Sequence, residues 1–97
     1  MSEEQQQKTE QPGGWFPIPN VNDLHVKEIA DFAVSEYNRE HQAHLKLERI
    51  IEGEKQIVNG VNYGLTLATK DEKGTNKNYK AVVWRQTSEK LSSFTEV

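Results

Sequence analysis

Cysteine is absent from all 97 residues. Disulfides, thiolate metal ligands and a cysteine nucleophile are thereby excluded, which fits a reducing compartment. There is no Asn-x-Ser/Thr sequon, and the three prolines all lie within residues 12–19. The opening MSEEQQQKTEQPGG holds no apolar run of the kind a signal peptide or membrane span needs. As written, the chain reads as cytoplasmic, or as secreted if a signal peptide has been removed, and no membrane partner is expected. Strong charge is lacking too. The net charge is −3, and Glu3, Glu4 and Glu10 against Lys8 place −2 of it in residues 1–11, so the remainder is nearly neutral. Lys70, Lys73, Lys77 and Lys80 alternate with Asp71, Glu72 and asparagines and have no interleaved aromatics, so no nucleic-acid partner is expected.

Catalytic and metal signals are equally thin. Ser35, Ser88, Ser92 and Ser93 have no Gly-x-Ser-x-Gly context, which argues against an enzyme. His41 and His44 with Glu40 could be imagined as metal ligands. A helix end running into a loop offers neither a rigid shared face nor a second shell, and the helix dipole accounts for histidine there. No metal and no cofactor are expected.

What is present organises into one domain. Residues 1–12 are Gln/Glu-rich without aromatic or branched apolar side chains and cannot offset their ordering entropy by burial, so they read as a flexible tail ahead of a domain at 13–97. The prolines and glycines of Pro12–Pro19 favour an extended path that could strap Trp15, Phe16 and Ile18 onto the core. From an N-cap at Asn22 or Asp23, helical periodicity gathers Leu24, Ile29, Ala30, Phe32, Ala33, Val34 and Tyr37 on one face as far as about Arg39 to His41. Strand-like segments follow at Leu45–Val58, Val61–Lys70, Asn78–Gln86 and Leu91–Val97. Adjacent Ile50 and Ile51 break the alternation and predict a bulge or bend near Arg49 to Gly53. Asp71 to Asn76, with Gly74, reads as a turn. An early helix followed by a meander predicts an α+β fold with an antiparallel sheet wrapped over that helix.

The most informative stretch is Gln56-Ile57-Val58-Asn59-Gly60. Asn-Gly between two alternating segments signals a tight two-residue hairpin turn. Ile57, Val58 and Val61 then become apolar groups flanking an exposed tip, where soluble domains seldom leave them without a partner.

Taken together, these residues resemble the cystatins, most closely the plant branch, the phytocystatins. Gln56-x-Val58-x-Gly60 fits the family's first-loop pattern, and Ile29-Ala30-Asp31-Phe32-Ala33-Val34-Ser35-Glu36-Tyr37-Asn38 looks like the plant helix signature. Gly13-Gly14 stands at the expected distance before the helix, and Tyr79-x-Ala81-x-Val83-Trp84 is similar to the strand that leads to the second loop. The resemblance runs from about Gly13 to Val97. It implies a cystatin-like fold, one helix wrapped by four to five antiparallel strands, and reversible inhibition of papain-like cysteine proteases by a wedge that fills the active-site cleft. In that wedge Gly13 and Gly14 would pass close to the catalytic cysteine without presenting a cleavable bond, and Gln56, Ile57, Val58, Asn59 and Gly60 would form the centre. The second loop departs from the family: Arg85-Gln86-Thr87-Ser88-Glu89-Lys90 lacks the Pro-Trp pair, so contacts there would fall to Trp84, Gln86, Thr87 and Ser88, with Trp84 itself in the strand. With no C-terminal extension beyond Val97, legumain is expected to lie outside the range of targets. A non-inhibitory binding or storage protein of the same fold is the alternative. The expected state is mainly monomeric, with a domain-swapped dimer accessible through opening of the first loop.

Overall fold

The computed structural model describes residues 14–97; the tail expected at 1–12 and the candidate Gly13 lie outside this range. Strand β1 (Trp15–Pro17) leads to helix α1 (Leu24–His41), then to β2 (Lys46–Ile57), β3 (Val61–Lys70), β4 (Asn76–Arg85) and β5 (Glu89–Glu96). The five strands form one antiparallel sheet in chain order, β1-β2-β3-β4-β5, with the helix packed on one face, so the fold is α+β.

The helix ends where the sequence predicts, but its details differ. Asp23 occupies the N-cap position without a side-chain capping bond. At the other end Gln42 turns left-handed, at φ 51°, and the Ala43 N–H donates to the Asn38 carbonyl at 3.0 Å. The Asn38 side chain continues the closure: its Nδ2 donates to the Leu45 carbonyl and its Oδ1 accepts from the Leu45 N–H, both at 3.0 Å. One side chain thus fixes the route from α1 into β2. The buried face comprises Val26, Ile29, Ala30, Ala33 and Val34, whereas Leu24 is 70 % exposed. Leu24 therefore does not belong to the core face expected from periodicity. In the same first turn it is Val26 that is buried, at 4 % exposure.

Alternation along β3 and β4 points Tyr63, Leu65, Leu67, Tyr79, Ala81 and Val83 into the core against the helix. Each fully buried large apolar side chain there contributes about 1.5 to 3 kcal/mol relative to exposure. Buried Thr69 satisfies its hydroxyl by donating to the Lys77 carbonyl at 2.8 Å. Tyr37, Tyr79 and Phe94 close the core towards β5, with Tyr37 stacked on Phe94 at 4.4 Å and Tyr79 4.7 Å from Phe94. Burial and the adjacent Tyr37 push the Tyr79 phenol up to about 12.

The irregularity read from Ile50 and Ile51 is real: the β2–β3 register shifts between Leu47 and Arg49 and again between Ile50 and Glu52. Two bulges bend the long strand around the helix. Of the segment expected to be extended, the described part is residues 14–19, and Trp15–Pro17 within it form a strand that joins the sheet. Trp15, Phe16 and Pro17 pair with Gln56, Lys55 and Glu54, an edge position that tolerates a residue without an N–H. Ile18 packs on the core, whereas Trp15 and Phe16 remain 41 % and 40 % exposed outside it, with the Trp15 ring lying beside Gly64 on the sheet.

Candidate functional site

Two hairpin loops and the start of β1 meet at one end of the sheet. The first loop is Val58-Asn59-Gly60, bracketed by the pair Ile57 and Val61. It is a three-residue loop and not the two-residue turn that Asn-Gly suggested. Asn59 (φ 47°) and Gly60 (φ 116°) both take positive φ, but Val58 also leaves the strand, its N–H donating to the Gly60 carbonyl at 3.1 Å. The second loop, Gln86-Thr87-Ser88, has the same length and the same closure: Arg85 pairs with Glu89, and the Gln86 N–H donates to the Ser88 carbonyl at 3.1 Å.

The two loops are laced together. Trp84 Nε1 lies 3.5 Å from the Val58 carbonyl, and Gln86 Nε2 donates to Asn59 Oδ1 at 3.3 Å. A Cβ at Gly60 would stand 2.7 Å from the Arg85 carbonyl oxygen and 3.2 Å from Trp84 Nε1, so glycine is required there by both backbone conformation and close approach. Trp84 is a strand residue as expected, paired with Asn62 and Lys90, and its indole supports the first loop from the side. Thr87 and Ser88 are exposed.

Gln56 sits at the end of β2 opposite Trp15, which puts Gly14, one residue earlier, at the loop end of the sheet. The Gln56 Oε1 accepts from Asn62 Nδ2 at 2.8 Å, fixing the strand pair just below the loop. Beyond it Ile57 is 54 % exposed and Val58 41 % exposed. The structure therefore brings together Gly14, Gln56 to Gly60, Trp84 and Gln86 to Ser88 on one edge, every described member of the set expected from sequence.

Sequence reading missed a group beneath the loops. Arg85 folds back so that its Nη1 lies 2.8 Å from His25 Nε2 and 3.0 Å from His25 Nδ1, while the Tyr63 hydroxyl is 3.1 Å from His25 Nε2. Burial raises the Tyr63 hydroxyl pKa, and the Arg85 charge opposes that rise. These contacts tie the base of the second loop to the start of α1. No local signal could have announced them, because His25 and Arg85 are 60 residues apart.

At the far end of the sheet, His44 Nδ1 lies 3.0 Å from Glu72 Oε1, and His41 packs on Tyr37 at 4.4 Å. The two histidines imagined as co-ligands thus face different neighbours. Among the described residues no three His, Asp or Glu side chains are grouped to hold a metal ion, and no helix is long and apolar enough to cross a membrane.

Comparison with known proteins adds a family. A family model described as SQAPI, aspartic acid proteinase inhibitor, matches residues 18–97. Cysteine proteinase inhibitor 5 of Arabidopsis thaliana is 48 % identical over 83 residues, covering 86 % of this chain and 68 % of the relative. Cysteine proteinase inhibitor 1 of Actinidia chinensis var. chinensis is 44 % identical over 72 residues, 74 % of this chain and 61 % of the relative. Cystatin-1 of Zea mays is 38 % identical over 85 residues, 87 % of this chain and 62 % of its own length. The chain thus spans roughly two thirds of each of these relatives. Among solved structures, salivary cystatin from the soft tick Ornithodoros moubata matches with a TM-score of 0.76 at 20 % identity, over 90 % of this chain and 99 % of that one. The crystal structure of Al-CPI matches at 0.73 with 18 % identity, over 88 % of this chain and 100 % of the other. At such identities the structures show the fold, and the sequence relatives show the family.

Proposed function

Since the chain belongs to the plant cystatin family of proteinase inhibitors, we propose that it is a reversible, tight-binding inhibitor of papain-like cysteine proteases. The wedge is Gly14 with Gln56 to Gly60; Gly13 would extend it, and Trp84, Gln86, Thr87 and Ser88 form its weaker second part. The single observation that carries this reading is the first loop. It holds two half-exposed aliphatic side chains, Ile57 and Val58, on a tip already braced by Trp84 and Gln86.

Such a tip loses little conformational freedom on docking, so the free energy of burying its apolar surface is not spent on ordering the loop. Each aliphatic side chain fully buried in a cleft contributes up to about 1.5 to 3 kcal/mol. No side chain of the first loop is a nucleophile or base, and blockage by occupancy needs none. The relatives named as inhibitors support this reading over a non-inhibitory binding or storage role, although fold alone would not. The working form is a monomer. A domain-swapped dimer would straighten residues 56–60 into continuous strand and lose the loop, and inhibition with it.

A second reading is favoured by one finding: the family model spanning residues 18–97 is described as an aspartic acid proteinase inhibitor. Parallel titrations of papain, pepsin and trypsin separate the readings, with mass spectrometry of the recovered inhibitor. Papain is expected to be inhibited by uncleaved protein and trypsin to be untouched. Papain left fully active at micromolar protein overturns the proposal, and pepsin inhibition in its place establishes the second reading.

A further inference from the structure

The sequence contains seven asparagines, and Asn59 alone is followed by glycine. We propose that Asn59-Gly60 is a site of spontaneous deamidation, and that conversion there disables the first loop. Asn59 is exposed at the loop apex, and Gly60 carries no side chain of its own to shield its nitrogen. The hydrogen bond that closes the loop uses the Val58 N–H and the Gly60 carbonyl, so it does not tie down the Gly60 nitrogen. Gln86 Nε2, 3.3 Å from Asn59 Oδ1, polarises the side-chain carbonyl and faces the oxygen that gains charge when that carbonyl is attacked.

The chemistry needs only water. The Gly60 nitrogen loses its proton and forms a bond to Asn59 Cγ; the Cγ–Nδ2 bond breaks and ammonia leaves, closing a five-membered succinimide. Water then opens the ring. Cleavage of the ring bond from nitrogen to Cγ leaves aspartate in an unaltered backbone, and cleavage of the bond to the main-chain carbonyl carbon leaves isoaspartate, with the chain routed through Cβ and Cγ. The net change is asparagine plus water to an acid plus ammonia.

Both products damage this loop in particular. Aspartate places a negative charge at the tip of an apolar wedge, where entering a cleft would strip its water. Isoaspartate adds a backbone atom to a three-residue loop whose ends are paired, Ile57 with Val61, and which has no room for a Cβ at Gly60 beside the Arg85 carbonyl. The loss of inhibition rests on the proposed function; the modification does not.

The test incubates the full chain in warm, mildly alkaline buffer beside an unstructured peptide of residues 56–62. Peptide mapping follows mass at every asparagine, and papain inhibition is measured on the separated species. Asn59 is expected to gain one mass unit before the other six asparagines, with isoaspartate and aspartate as products. The modified fraction should inhibit at least tenfold less well than the unmodified one. Gln86→Leu should slow conversion several-fold, and Asn59→Ala should keep its own starting mass and inhibition throughout. Asn59 still intact after the peptide has converted overturns the site. A modified fraction as inhibitory as the unmodified one overturns the consequence. Fresh protein that fails to inhibit papain refutes the proposed function and leaves the mass record to decide the modification.

Discussion

Two hairpin tips cap opposite ends of β3, and each contains a glycine at positive φ, Gly60 at 116° and Gly74 at 83°. They are built differently. The turn at Asp71–Thr75 satisfies itself: the Asp71 carboxylate accepts from the Lys73 and Thr75 N–H groups at 2.9 Å each, and nothing lies within 4 Å of where a Gly74 Cβ would be. Its side chains are charged, as a solvated tip requires. The tip at Val58–Gly60 leans on another loop, through Trp84, Gln86 and the Arg85 carbonyl, and shows aliphatic side chains to solvent. Local turn chemistry closes the first tip, to which the exposed pair of Glu72 with His44 is an addition. The second carries bracing and apolar surface beyond what a turn needs, and the proposed docking role accounts for that excess.

The sharpest way to break this comparison is the same substitution at both glycines. Gly60→Ala forces a side chain into backbone strain of about 1 to 3 kcal/mol and against the Arg85 carbonyl oxygen. Papain inhibition should weaken at least about a hundredfold, equivalent to about 2.7 kcal/mol. Gly74→Ala should cost about 1 to 2 kcal/mol of stability through its left-handed backbone alone and leave inhibition unchanged. Equal effects of the two changes on inhibition constants would erase the distinction.

Val58→Glu comes next. A charge carried into a cleft without a partner should weaken papain binding at least about tenfold, equivalent to 1.4 kcal/mol, with the thermal midpoint nearly unmoved because residue 58 is half exposed. Inhibition titrations together with a melting curve check it.

Replacing Thr87-Ser88 by Pro-Trp should act in the opposite direction. Exposed Thr87 and Ser88 offer little area, and a tryptophan at that rim should strengthen binding by up to about tenfold, about 1.4 kcal/mol. An unchanged inhibition constant would mean that the second loop serves only to brace the first.

The smallest effect concerns acid. Hydrogen bonds from the Thr75 and Lys73 backbone hold the Asp71 carboxyl below the usual carboxylate range. A depressed folded pKa contributes stability that is present above the unfolded value, about 3.9, and is lost as pH falls through the folded one. On acidification the amide signals of Lys73 and Thr75 should move while those of Val58 to Gly60 stay in place, since that tip has no carboxylate closing it.

How far the sequence could be read follows the same divide. The helix, the order of the strands after it, the β2 bulges and a turn after Lys70 rest on periodicity or on neighbours a few residues apart and were legible, although the turn expected at Asp71 to Asn76 ends sooner, with Asn76 already in β4. Asn-Gly misled about loop length, because Val58 also leaves the strand and its N–H closes a three-residue loop on the Gly60 carbonyl. Leu24 matched the helical period yet stays 70 % exposed, and the buried position of the first turn goes to Val26, at 4 %. The candidate site residues could be named from motif spacing, but the lacing of one loop to the other and the group His25, Tyr63 and Arg85 required the sheet to be assembled first.

The central claim is that the end carrying Val58 enters the protease and the end carrying Asp71 does not. Amide hydrogen exchange of the inhibitor, alone and saturated with papain, tests it most directly. Added protection is predicted at residues 14–16, strongest at 56–60 and weaker at 86–88, with residues 71–75 unchanged. Protection centred on residues 71–75, with residues 56–60 exchanging as in the free protein, would contradict the account.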